Sequence, residues 1–193
     1  MFIPDEKTLT LFRDYCTLNE EFDGKSISNA MMYAYQCHAN TLQSYDDKPY
    51  TYHLKMTYDY GCKFAHLLTA TECELALSAC WCHDVIEDTR QSYNDVTKAC
   101  GVELSEVVYA LTNEKGRTRE ERANDQYYLG IRQNEVATFV KLCDRLANVT
   151  YSCENNQRIK LAYRNEYAHF KQSIWNLRFA EMFSAIEQIL GLN

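Results

Sequence analysis

Asp144 stands where a carboxylate is out of place. Val136, Ala137, Phe139, Val140, Leu142, Cys143, Leu146, Ala147 and Val149 put apolar side chains on every side of a helix spanning residues 134–150. A helix that is apolar all round is a buried one. A carboxylate buried there costs several kcal/mol unless a cation or hydrogen-bond donors compensate it. Lys141, Arg145 and Asn148 lie within about one turn, so this segment alone reads equally as a buried Asp–Lys or Asp–Arg pair or as part of a metal site. A second cluster, His83-Asp84 and then Glu87-Asp88-Thr89, ends an apolar helical stripe. If the helix continues, Glu87 falls one turn beyond His83 and Asp88 one turn beyond Asp84. Three carboxylates this close repel one another, and negative charge at a helix C-terminus is unfavourable; a divalent cation relieves both. His53, beside tyrosines, is by itself more often a satisfied histidine than a ligand, and the same holds for His38, His66 and His169. Together, His53, His83, Asp84 and Asp144 supply two imidazoles and two carboxylates. Such a mixed nitrogen and oxygen set suits Mn²⁺, Fe²⁺ or Zn²⁺ better than Ca²⁺ or Mg²⁺.

The elements that must position these groups read as helices. Thr71-Glu72-Cys73-Glu74 has the form of a capping box before the stripe Leu75, Ala76, Ala79 and Cys80. Ser92 to Asp95 opens another helix, stopped by Gly101, and Thr118 to Glu121 opens a third. Ser26 or Ser28 is expected to cap a helix over residues 30–41, with Gly24 and Lys25 separating it from an N-terminal helix near residues 6–18. Pro49 makes residues 46–50 a loop, and residues 113–117, with Gly116, form another. Further helices are expected near residues 52–68, 155–173 and 175–190, with Trp175, Phe179 and Phe183 as packing residues in the last. The sequence holds no convincing strand run, repeat or linker. The expectation is an all-α fold, a single domain over residues 1–193 with roughly eight to ten helices.

Composition narrows the function. Only 6 Gly and 2 Pro among 193 residues argue against a turn-rich β fold. With 20 Lys+Arg against 27 Asp+Glu the net charge is −7, which argues against a nucleic-acid polymer or a polybasic membrane contact. A small anionic substrate would need a local positive patch or a bound cation. There is no apolar run of about 18 residues, and the acidic start has no signal-peptide character. The chain is therefore expected to be cytoplasmic, with its 9 scattered cysteines reduced.

Three stretches carry a resemblance. Lys48-Pro49-Tyr50-Thr51-Tyr52-His53, His83-Asp84-Val85-Ile86-Glu87-Asp88-Thr89 and Val140-Lys141-Leu142-Cys143-Asp144-Arg145-Leu146-Ala147-Asn148 occur in the order and at the distances of the HD superfamily of metal-dependent phosphohydrolases. Within it the chain most resembles the hydrolase domain of the RelA/SpoT family, in its small stand-alone form. The core motifs span about residues 26–150, and C-terminal helices at about residues 155–190 match loosely. The resemblance implies an HD-domain helical bundle and an enzyme that holds Mn²⁺, or another divalent transition metal, on His53, His83, Asp84 and Asp144. It implies that Glu87 and Asp88 orient and activate an attacking water, that Asn148 contacts the nucleotide's sugar, and that Tyr167 faces the substrate. Lys48, Lys55, Lys141 and Arg145 are candidates to neutralise phosphates, although each alone also reads as a solvated cation. The implied reaction removes the 3′ pyrophosphate of the alarmone (p)ppGpp and leaves GDP or GTP.

The chain also departs from the family. Where members carry an Arg-Lys pair before the Pro-Tyr motif, it has Leu42-Gln43-Ser44-Tyr45-Asp46-Asp47. Leu54, Ala147 and Thr150 replace the usual Pro, His and Arg. The metal set is kept and the recognition set is altered. Another phosphorylated nucleotide (NADPH losing its 2′-phosphate, or an adenine alarmone) therefore stays open, as does a non-catalytic nucleotide-sensing module. Keeping both Glu87 and Asp88 argues against the module.

Overall fold

The computed structural model describes residues 25–113 and 116–192, with residues 119 and 120 described by backbone alone. The helix expected near residues 6–18, Cys16 and Gly24 lie outside the described residues. In chain order the elements are α1 (Lys25–Asn40), β1 (Ser44–Tyr45), β2 (Lys48–Pro49), α2 (Thr51–Phe64), α3 (Ala70–Cys82), α4 (Val85–Asp88), α5 (Tyr93–Cys100), α6 (Val102–Leu111), α7 (Arg119–Arg122), α8 (Asp125–Arg132), α9 (Glu135–Asn155), α10 (Gln157–Ile174) and α11 (Ala180–Leu190). Short 3-10 turns at Ala65–Leu67 and Leu177–Phe179 follow α2 and precede α11. The fold is all-α, apart from a two-residue antiparallel hairpin in which Ser44 faces Pro49 and Tyr45 faces Lys48. Asp46, at φ 53, makes its tight turn.

The 21-residue α9 is the axis of the bundle. Asn134 caps it by accepting from the Ala137 amide, and α2, α3, α6, α8, α10 and α11 all pack on it. Phe139, Val140, Leu142, Cys143, Leu146, Ala147 and Val149 are fully buried, as the all-round apolar pattern requires. Gly61 permits the close approach of α2 to α3, since a Cβ there would lie 3.0 Å from Leu77 Cδ2 and 3.1 Å from Cys80 Sγ.

Several boundaries differ from expectation, each for a local reason. The capping box of α3 pairs Thr69 with Glu72, two residues before the expected Thr71, and is completed by the Glu72 carboxylate on the Thr69 amide. The Ser92–Asp95 box and the Gly101 stop, at φ 94, are present as expected, and Thr118 caps α7 through the Glu121 amide. Ser26 and Ser28 lie inside α1 rather than at its cap. Trp175 and Asn176 are extended, because Asn176 caps the 3-10 turn that follows. Phe179 and Phe183 are core residues, whereas Trp175 is 45% exposed. The described cysteines are all free thiols. Among the described residues no helix is long and apolar enough to cross a membrane.

Candidate metal centre and active site

The apolar helical stripe ends at His83-Asp84 and does not continue as one regular helix to Glu87 and Asp88. Helix α3 ends at Cys82, the chain turns at Asp84 (φ −100, ψ 1), and α4 begins at Val85. Adjacent residues on a regular helix point about 100° apart; the turn lets His83 and Asp84 aim at one place. His53 arrives from the first turn of α2, and Asp144 from the middle of α9. Nε2 of His53 lies 3.2 Å from Nε2 of His83. Oδ2 of Asp84 is 3.5 Å and 3.1 Å from those two nitrogens, and Oδ1 of Asp144 is 3.3 Å and 3.8 Å from them. Both histidines and Asp144 are buried.

His53, His83 and Asp144 form a buried group whose ligand atoms are close enough to hold an ion; the 3.1, 3.2 and 3.3 Å separations are those of ligands sharing one, and the 3.5 and 3.8 Å separations are wider. Two ligands about 2.1 Å from one metal, at angles between tetrahedral and square, stand about 3.0–3.4 Å apart. The His83 Nδ1 lies 2.9 Å from the Cys80 carbonyl. That contact places its proton on Nδ1 and leaves Nε2 as a lone pair aimed inward, the outer support typical of a metal-binding imidazole. Without an ion, protons take up the role. Burial lowers the pKa of His53, but the Asp144 and Asp84 carboxylates more than reverse this and lift it to about 9. Burial alone would raise Asp144, yet Lys141 and the two histidines hold it well below the usual carboxylate range. Asp84 is held low by the same histidines against the same burial.

The acidic pair sits beside this centre in two different settings. Glu87 is exposed to the cavity and accepts from Asn113, at 2.6 Å from the side chain and 3.3 Å from the backbone amide. Partial burial and the nearby Asp84 raise its pKa, and Asn113 partly offsets the rise. Asp88 is turned inward, where it accepts from the Tyr50 hydroxyl at 2.8 Å and from the Gln43 amide. Burial and Asp84 raise its pKa too.

A cavity of about 740 Å³ opens over the centre, within the usual range for a small-molecule site. Its walls include His53, Asp84, Glu87, Asp88, Asp144, Lys141, Arg145 and Asn148. Lys141 donates to Asp144 Oδ2 at 2.9 Å. Arg145 pairs with Glu166 and lies over the Phe170 and Tyr163 rings. Asn148 gives its amide hydrogens to Asp144 and accepts from the Tyr45 hydroxyl at 2.9 Å. Three expected substrate contacts are not among the cavity walls. Lys48 pairs with Asp47 and lies over Tyr52 and Tyr151 on the outside of the hairpin. Lys55 pairs with Asp59 on the surface. Tyr167 turns the other way on α10, its hydroxyl bonded to the Phe183 carbonyl and to Glu187 on α11.

The structure adds residues that sequence reasoning passed over. Tyr45 stacks on His53 at 5.0 Å, Tyr50 bridges Asp84 and Asp88, and Asn113 holds Glu87. Arg122 is a further cation on the cavity wall. Tyr50 had a signal, since it precedes His53 by three residues and so shares its helix face. Tyr45 and Asn113 had none, because a two-residue strand and a residue beyond the end of a helix carry no periodicity.

No protein-family model matches the chain. It is 34% identical over 76 residues to the guanosine-3′,5′-bis(diphosphate) 3′-pyrophosphohydrolase MESH1 of Drosophila melanogaster, across 39% of this chain and 42% of that protein. The chain thus spans less than half the length of the curated relative it matches. A solved structure, described as a metazoan ortholog of SpoT that hydrolyses ppGpp and plays a role in starvation responses, superposes with a TM-score of 0.64 at 21% identity. That likeness covers 89% of this chain and 99% of the other, and it shows the fold: the helical bundle described above.

Proposed function

We propose that the chain is a metal-dependent phosphohydrolase of a small phosphorylated nucleotide, working in the cytoplasm as a single HD domain over residues 1–193. We propose (p)ppGpp as its substrate, cleaved at the 3′ pyrophosphate to leave GDP or GTP. The observation that carries this reading is the buried group of His53, His83 and Asp144, whose ligand atoms converge, with Asp84 Oδ2 at 3.5 Å and 3.1 Å from the two histidine nitrogens, beside a cavity that His53, Asp84 and Asp144 line. The similarity to a relative named for that reaction supports the substrate. Held by these four residues, a divalent ion (Mn²⁺ in this proposal) would acidify a water and offset charge on the phosphoryl group.

The chain's own residues do the rest. Glu87 faces the cavity with a raised pKa and takes the proton of the attacking water; a positioned carboxylate of this kind contributes about 10²–10⁴-fold. Asn113 fixes its direction. Asp88, which accepts from Tyr50 and Gln43, orients the water in this reading. Lys141 and Arg145 face the phosphates, and Asn148 meets the sugar with the lone pair of Oδ1 that Tyr45 leaves free.

A second reading keeps the site and changes the nucleotide. Lys141 and Arg145 are already paired with Asp144 and Glu166, and residues 42–47 bring no cation. A substrate with fewer phosphates, such as NADPH losing its 2′-phosphate, needs less positive charge. Incubation with (p)ppGpp, NADPH and an adenine alarmone, with Mn²⁺ or with chelator, separates the readings when pyrophosphate and orthophosphate are assayed apart. Metal-dependent pyrophosphate from ppGpp is expected. Orthophosphate from NADPH alone selects the second reading. Tight nucleotide binding with no turnover under any metal removes both and leaves a sensor.

A further inference from the structure

We infer that Tyr50 is a positioning residue whose hydroxyl ties the Asp84 carboxylate to that of Asp88, holding the metal ligand and the acidic pair as one unit. This rests on the reading of His53, His83, Asp84 and Asp144 as a metal site.

The hydroxyl lies 2.5 Å from Asp84 Oδ2 and 2.8 Å from Asp88 Oδ2. A phenol carries one hydrogen, so two acceptors share a single donor. The oxygen it meets on Asp84 is the one that faces both histidine Nε2 atoms, at 3.5 Å and 3.1 Å. The Tyr50 ring has little freedom. It lies flat on His38 at 4.5 Å and 13°, and edge-on to His53 at 5.6 Å and to Tyr45 at 6.3 Å. His38 is itself held by Gln43, with Nδ1 2.7 Å from Oε1, and the Gln43 amide reaches Asp88. Rings from α1, β1 and α2 therefore fix the hydroxyl, and Gln43 fixes Asp88 from the other side. Hydrogen bonds behind a ligand carboxylate orient it, and their loss typically costs 10–100-fold in metal affinity or activity. This arrangement also divides the acidic pair. Asp88 acts on Asp84 through Tyr50, and Glu87, outside the network, is left for the proton.

Tyr50→Phe keeps the ring and its stacking and removes only the hydroxyl. The first readout needs no substrate: free Mn²⁺ in a titration of the purified protein, followed by electron paramagnetic resonance. We expect Mn²⁺ affinity to fall about 10-fold. At Mn²⁺ concentrations saturating both proteins, kcat should stay about 10-fold low with KM changed less than about 2-fold, because Tyr50 acts through carboxylates and not on the nucleotide. An unchanged Mn²⁺ affinity overturns the inference whatever the substrate proves to be. Weakened Mn²⁺ binding in a protein that turns over no nucleotide supports the inference and removes the proposed function. In an Asp88→Asn background Tyr50→Phe should cost less Mn²⁺ affinity than in the parent, since the two residues form one unit; equal costs in both backgrounds also overturn it.

Discussion

Replacing Asp144 by alanine separates what that carboxylate does for the fold from what it does for the ion. Oδ1 faces the two histidines and Oδ2 takes the hydrogen of Lys141, an ammonium with only 17% of its side chain exposed. Removing one member of a buried ion pair costs about 3–5 kcal/mol, because the other charge is left without compensation. For a chain of this length each kcal/mol moves Tm by about 2–4 °C. Asp144→Ala should therefore melt roughly 6–20 °C below the parent when both are measured in chelator. Lys141→Met on top of Asp144→Ala removes the stranded ammonium and should recover most of that loss. The double variant should nevertheless bind Mn²⁺ at least about 10-fold more weakly than the parent, since one of four ligands is gone. Thermal melts in chelator and Mn²⁺ titrations of the three proteins give both readouts. A double variant that binds Mn²⁺ as well as the parent would refute the metal role of Asp144. A single variant that melts with the parent would refute the charge argument for Lys141.

Glu87→Gln should leave Mn²⁺ affinity within about 3-fold and lower kcat by about 10²–10⁴; retained turnover would return the proton to Asp88. Because His53 is lifted to about 9 by two carboxylates, and Asp84 raises His83 as well, an ion entering at pH 7 must displace at least about one proton, so affinity should rise at least about tenfold per pH unit towards 9. Calorimetry in two buffers of different ionisation enthalpy checks this, and identical heats would contradict it. Arg178 grips Glu72 at 2.6 Å and 2.8 Å and holds its carboxyl at about 2. This depressed pKa gives stability that is present above about 4.5 and lost as pH falls towards 2. Both side chains are about a quarter exposed, so Arg178→Ala should cost about 1 kcal/mol at pH 7. The difference in Tm between parent and variant should shrink towards zero near pH 2.

The chemistry was more legible in the sequence than the framework that aims it. A carboxylate within an apolar-all-round helix marks itself, because burial has to be answered by a cation, and Asp144 was readable for that reason. His83 and Asp84 marked themselves by crowding a helix end. What the sequence did not disclose is the break after Cys82 that turns the two towards one point, since neither Gly nor Pro signals it. Tyr167 went the other way: it lies on α10, whose exposed face gives no sign of which side meets the cavity, and the structure turns it towards Glu187. Lys48 was set outside by the hairpin, whose two-residue strands are too short to show an alternation. The cap of α3 slipped by two residues because Thr69 and Thr71 both precede acidic residues at capping distance, and the backbone chose the earlier one.

The donors of the centre come from stretches 30 and 60 residues apart, with His83-Asp84 the sole neighbours in sequence. A denatured chain therefore offers an ion little that is preassembled, unlike a helix presenting two histidines one turn apart. Nearly all of the ion's binding free energy would then favour the native state, about 2.7 kcal/mol at a free concentration one hundred times Kd. Starving a cell of the metal would lower not only turnover per molecule but the number of molecules that escape proteolysis.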